Sequence, residues 1–204
     1  MSYALACLGT VFAIVDPIAA VPTFLVLTSA RSGADQVRIA RRAALTCLTV
    51  LSVFAAAGQI ILHFFSITLP AFKLAGGIIL FSVGVDMVRG SAKRPVSDEP
   101  ADAHVDLGLV PLGVPLLSGP GAIATVMLLG SNASTWGQRG VVFGSLILVS
   151  ISVFLILGSA PLFGRMLGRT GLNVIGRTMG LVLTSIAIQF LLDGARDAFP
   201  TLTR

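Results

Sequence analysis

Phe12-Ala13-Ile14-Val15-Asp16-Pro17-Ile18-Ala19-Ala20-Val21-Pro22-Thr23-Phe24 sets one carboxylate and two prolines inside a run otherwise fit to cross a bilayer. Asp16 is the only charged side chain between Met1 and Ala30. If residues 5–27 span, Asp16 lies near the middle, where an acid costs about 2.5–3.5 kcal/mol on insertion scales. Pro17 and Pro22 lack the N–H that a continuous helix ladder needs. An acid and a ladder break at membrane depth together read as a functional site, because each is disfavoured there without a use.

The flanking sequence fixes the class. The chain has 204 residues, 55% of them hydrophobic and 11% charged, with a mean hydropathy of +0.95. Residues 43–72, 107–138 and 140–164 carry no formal charge, and a helix needs about 20 apolar residues to span. The expected fold is therefore an all-α membrane protein of six transmembrane helices, over residues 5–27, 43–65, 70–88, 107–129, 141–162 and 173–192. A basic loop (29–42), a linker (89–106) and a basic turn with Arg165 and Arg169 separate them. The third and sixth spans begin with Lys73 and Arg177, whose long side chains can snorkel to the interface. Asp86 with Arg89 and Asp193 with Arg196 are spaced for weak interfacial ion pairs.

The net charge of +5 would point to nucleic acid in a soluble chain. Here Lys and Arg lie between apolar runs, so membrane orientation accounts for them and no nucleic-acid partner is expected. The first, third and fifth loops hold ten Lys/Arg against four elsewhere, which places those loops in the cytoplasm and both termini outside. Tyr3 and Trp136 then fall at the outer interface. Cys7 and Cys47 form no disulfide framework, and no His or Cys spacing fits a metal. Neither a cofactor nor an enzyme constellation is expected.

The two halves resemble each other. Asp16-Pro17-Ile18-Ala19 aligns with Gly119-Pro120-Gly121-Ala122 at an offset of 103, and Lys73-Leu74-Ala75-Gly76 aligns with Arg177-Thr178-Met179-Gly180 at 104. The organisation read from this is a first three-helix repeat (1–90), a cytoplasmic linker (91–106) and a second three-helix repeat (107–204). Three spans per half make the repeat inverted, with helices one and four broken near the midplane, an architecture of transporters. Pro17 and Pro120 would each open a half-helix, and two half-helix N-termini would meet from opposite faces, each with unpaired N–H groups and partial positive charge. Asp16 can cap its own half-helix and face an ammonium group or hold a proton. The matching Gly119 has no acid, so the terminus formed by Ser118, Gly119, Pro120, Gly121 and Ala122 stays free for a carboxylate. One half suits an amine and the other a carboxylate, so the pair suits a zwitterion. Asp16, Pro17, Ile18, Ala19 and Thr23 are the candidate binding residues of the first half. Helix–helix bonding or back-bonding is the plainer expectation for Thr23, Thr28, Thr125 and Asn132.

Asp16-Pro17-Ile18 with Pro22 and Phe24 through Thr28 resembles the first signature of the MarC family of integral membrane proteins. Phe72-Lys73-Leu74-Ala75-Gly76-Gly77 resembles its third-span signature. Val110 through Ala124 (VPLGVPLLSGPGAIA) closely resembles its fourth-span signature, and Arg177-Thr178-Met179-Gly180 with Gln189-Phe190 its last. The family often carries Asn at the position of Asp16, and Asn caps as Asp does. The resemblance implies six spans, a bacterial or archaeal inner membrane and a distant relation to LysE-type exporters. Some members are described as transporters of small neutral amino acids such as glycine and alanine.

The expected function is a secondary transporter of small neutral amino acids, coupled to protons or another ion. A passive small-solute channel, a non-transporting membrane protein and drug efflux stand as alternatives. The expected partners are membrane lipid and a small zwitterionic substrate, with self-association left open.

Overall fold

The computed structural model describes residues 3–89 and 107–199, without the side chains of 163–170, 172 and 173. The expected linker at 91–106 lies outside the described residues. Among the described residues there is no strand.

The helices are α1 (Tyr3–Val15), α2 (Ala20–Leu27), α3 (Gly33–Phe64), α4 (Leu69–Arg89), α5 (Pro120–Asn132) and α6 (Trp136–Ala198). A wide-turned segment, Gly108–Leu117, precedes α5 and leaves helical backbone angles at Val110 and Val114, each just ahead of a proline. A residue before proline is pushed out of the helical region by the ring, so the Pro111 and Pro115 spacing accounts for this irregularity. Four stretches are long and apolar enough to cross a membrane: Gly33–Phe64, Leu69–Arg89, Trp136–Leu162 and Val174–Ala198. Two bent pairs, α1 with α2 (41°) and Gly108–Leu117 with α5 (65°), raise the number to six if each pair is one span.

The start of α3 differs from the sequence reading. Helix α3 starts at Gly33, so most of the expected basic loop is helical. The cause is local: Ser32 Oγ accepts the Asp35 N–H at 3.2 Å and donates to the Asp35 carboxylate at 2.7 Å, while Asp35 pairs with Arg38 at 3.2 Å. A capping serine followed three residues on by an acid opens a helix. Ser32→Ala should cost about 1 kcal/mol and lower the melting temperature by about 2–4 °C, read by thermal unfolding in detergent. The long α6 holds two membrane-length stretches, Trp136–Leu162 and Val174–Ala198, and reverses between them: Gly130, just ahead of Trp136, meets Ala55, Gly176 and Gly180 meet Val26 and Val88, and Gly194 comes back to Pro70.

In lipid, helices gain little by hiding apolar surface from one another; close packing holds them. Val11, Phe24, Leu51, Leu117, Ile123 and Leu146 are fully enclosed, whereas Ile60, Phe64, Leu128, Leu155 and Leu181 face outward. Glycines permit the tightest contacts. A Cβ on Gly130 would collide with the Ala55 carbonyl of α3, and Gly84 of α4 and Gly180 of α6 lie against each other's backbones. Near one end of this α4–α6 contact Lys73 Nζ meets Asp197 Oδ2 at 2.7 Å.

Candidate functional site

The break between α1 and α2 is built by Asp16. Its φ is 43°, in the left-handed region, which Asp and Asn tolerate better than most side chains. That turn ends α1, and the Asp16 carboxylate then accepts the Ala19 N–H at 3.1 Å. Pro17 has no N–H to satisfy and sits within the turn, so α2 begins at Ala20, three residues later than the sequence reading placed it. The carboxylate serves the entry to the second half-helix as a cap, and it pairs with no basic side chain among the described residues.

The second break is built differently. Gly119, extended at φ −67° and ψ 168°, precedes α5, and Pro120 is its first residue. Among the described residues no side chain caps this terminus. The first amide to return to the ladder is that of Ile123, bonded to the Gly119 carbonyl at 3.0 Å. The amides of Gly121 and Ala122 come before that point, where a helix leaves N–H groups without intrahelical partners. Pro120 is held from behind by Gly76 of α4, which is so close that a Cβ there would overlap the proline ring.

Both breaks open on one cavity of about 270 Å³. The ends of α1 and α2 supply Ala13 through Asp16, Ala19, Ala20 and Thr23. The second bent pair supplies Pro115, Leu116, Gly119, Gly121 and Ala122. Leu80 comes from α4, and Met179, Val182, Leu183, Ile186 and Phe190 come from α6. The wall thus includes Asp16, Ala19, Thr23, Gly119, Gly121 and Ala122 of the sequence-derived candidates. It does not include Pro17, Ile18, Ser118 or Pro120. Pro17 and Pro120 are buried in the packing behind the breaks, and Ile18 is exposed on the outer surface. Ser118 is enclosed against α3, where its hydroxyl faces the Cys47 thiol and forms no hydrogen bond of good geometry.

The threonines divide. Thr28 and Thr125 donate to carbonyls four residues back, at 2.7 and 2.8 Å. Thr23 is buried, makes no such bond and lines the cavity. Apart from the Asp16 carboxylate and the Thr23 hydroxyl, the lining side chains are apolar. The α6 wall was not anticipated. Residues 179, 182, 183, 186 and 190 recur at helical spacing and so form one stripe, a signal present in the sequence but shared by any packed helix. Gln189, next to Phe190 on α6, stands off the cavity wall and donates to Asp193 at 2.8 Å. Asp193 therefore pairs along its own helix with Gln189, one turn away, and not with Arg196. Asp86 has no ion pair among the described residues.

Helices of membrane-spanning length, apolar outer faces and a small, largely apolar cavity between two bent pairs define a polytopic integral membrane protein. The model of the MarC family, described as integral membrane proteins, matches residues 1–199, and the chain belongs to that family. It is 39% identical over 188 residues to a UPF0056 membrane protein of Pyrococcus abyssi, covering 92% of each chain. It is 34% identical to YvbG of Bacillus subtilis (95% and 94% covered) and 31% identical to YhcE of Escherichia coli (94% and 91%). No solved structure matches.

Proposed function

We propose that the protein is a secondary transporter of small neutral amino acids in a bacterial or archaeal cytoplasmic membrane, coupled to protons or another ion. The observation that carries this reading is the asymmetry of one cavity. Among the described residues, a carboxylate without a basic partner stands at one break, and an uncapped helix N-terminus stands at the other. The acid attracts an ammonium group, and the free amides with the helix dipole attract a carboxylate. At about 270 Å³ the cavity lies at the small end of ligand pockets, a size that suits a small zwitterion.

The two halves, in this reading, are an inverted repeat. A bent pair followed by two membrane-length helical stretches, occurring twice along the chain, supports it. Broken helices meeting near the midplane around a fixed site suit alternating access. Both termini lie outside, in keeping with the arginines at the start of α3 and the end of α4.

Counterflow of labelled glycine into liposomes carrying the purified protein is the direct measurement. Glycine uptake competed by alanine and serine, and not by glutamate or phenylalanine, is the expected result. A protein that responds to no amino acid overturns the proposal. Uptake unaffected by imposed proton or sodium gradients would assign a passive channel.

A further inference from the structure

Phe190 of α6 stands beside the uncapped start of α5. A Cβ built on Gly121 would lie 3.4 Å from its Cε1 and 3.5 Å from its Cζ, and a Cβ on Gly119 would lie 3.6 Å from its Cε2. The ring edge therefore runs along the two glycines flanking Pro120. Ile14 of α1 also reaches Gly121, with its Cδ1 3.7 Å from the same built atom. Gly121 and Ala122 carry the amides that come before the α5 ladder, and Phe190 and Ile14 line the same cavity.

From this geometry we infer that Phe190 determines specificity by limiting the size of the substrate's side chain. The inference rests on the zwitterion reading given above. In an α-amino acid the side chain leaves the carbon next to the carboxylate. A carboxylate on the Gly121 and Ala122 amides therefore delivers the first side-chain atoms to the space bounded by Phe190 and Ile14. Hydrogen, methyl or hydroxymethyl leaves the ring in place. A branched or longer chain must displace it, and the ring packs against the buried cluster of α4 and α6 that includes Leu80, Leu183 and Ala187. The selected class is amino acids bearing no more than one heavy atom, or a two-atom hydroxymethyl, on Cα.

Two substitutions move the limit in opposite directions. Phe190→Leu removes the ring edge and should improve valine and leucine relative to glycine by roughly tenfold or more, the scale of one methylene in an apolar pocket. Gly121→Ala adds a methyl at ordinary contact distance from the ring, with no left-handed backbone to strain. It should worsen alanine and serine relative to glycine by a similar factor. The readout is the ratio of competing concentrations in glycine counterflow, with ligand-induced thermal shift in detergent as a second measure independent of turnover. Opposite shifts of the ratio in the two variants are the expected result. Variants that keep the wild-type size ranking overturn the role of Phe190 while leaving the transport reading intact. A wild-type protein silent to glycine, alanine and serine overturns both.

Discussion

Asp16→Asn is expected to keep the fold and lose substrate. Asparagine tolerates the left-handed backbone of this position, and its carbonyl can accept the Ala19 N–H that the carboxylate accepts at 3.1 Å. What disappears is the charge. A hydrogen bond to a charged group contributes about 1.5–3 kcal/mol, so affinity for glycine or alanine should fall roughly tenfold to more than a hundredfold. Accumulation driven by a proton gradient should fall further, because the amide cannot carry a proton. Asp16→Val separates the roles. It loses the cap, worth about 1 kcal/mol, and forces a β-branched residue to a φ of 43°, a conformation such residues avoid. That variant should lose stability as well as binding. Thermal unfolding and ligand-induced thermal shifts on both variants decide the matter. An asparagine variant that binds alanine as the wild type does would reduce Asp16 to a cap.

The second large effect is expected at Gly76, outside the cavity wall. Gly76→Ala places a methyl on the ring of Pro120, whose Cδ also lies 3.0 Å away. A proline ring at the first residue of a helix has almost no freedom to yield, so α4 or α5 must move. Overpacking of this kind costs about 1–3 kcal/mol. Its first consequence is a shift of the turn that carries the Gly121 and Ala122 amides. Binding should fall with stability, by at least tenfold at a displacement worth 1.4 kcal/mol. Gly9→Ala is the control. It is also a helical glycine, but a Cβ there meets nothing within 4 Å, and alanine is the better helix former. Gly9→Ala should therefore be neutral or stabilising, and equal losses at the two positions would refute the account of Gly76.

The contrast between Pro17 and Pro120 shows where sequence reasoning reaches and where it stops. Proline after a small, extended residue marks a helix start, and Gly119-Pro120 follows that rule. Asp16-Pro17 carries the same local signal, yet α2 waits until Ala20. The difference is a backbone choice. Asp16 turns left-handed and needs three residues to bring an N–H round to its own carboxylate, and a dipeptide pattern does not encode that sign of φ. The start of α3 could have been read from Ser32 and Asp35, since a capping signature is local. Phe190 could not, because its meaning depends on which of its neighbours α5 presents. Ser118 makes the same point in reverse. It stands one residue before the break in sequence, but the 65° bend turns its hydroxyl towards Cys47 and away from the cavity. Positions within a turn of a break are legible as neighbours of the site, whereas the side facing inward is set by helices more than 50 residues away.

The enclosure of both cysteines has a practical consequence. Cys7 is 2% and Cys47 0% exposed, so a water-borne maleimide finds no target on the native chain. The wild-type protein is thus its own silent background for single reporter thiols. A cysteine at Ala30, after α2, and another at Asn132, at the end of α5, would each stand alone on exposed positions. An impermeant reagent applied to intact cells and to inverted vesicles would then read directly which of the two faces the cell interior.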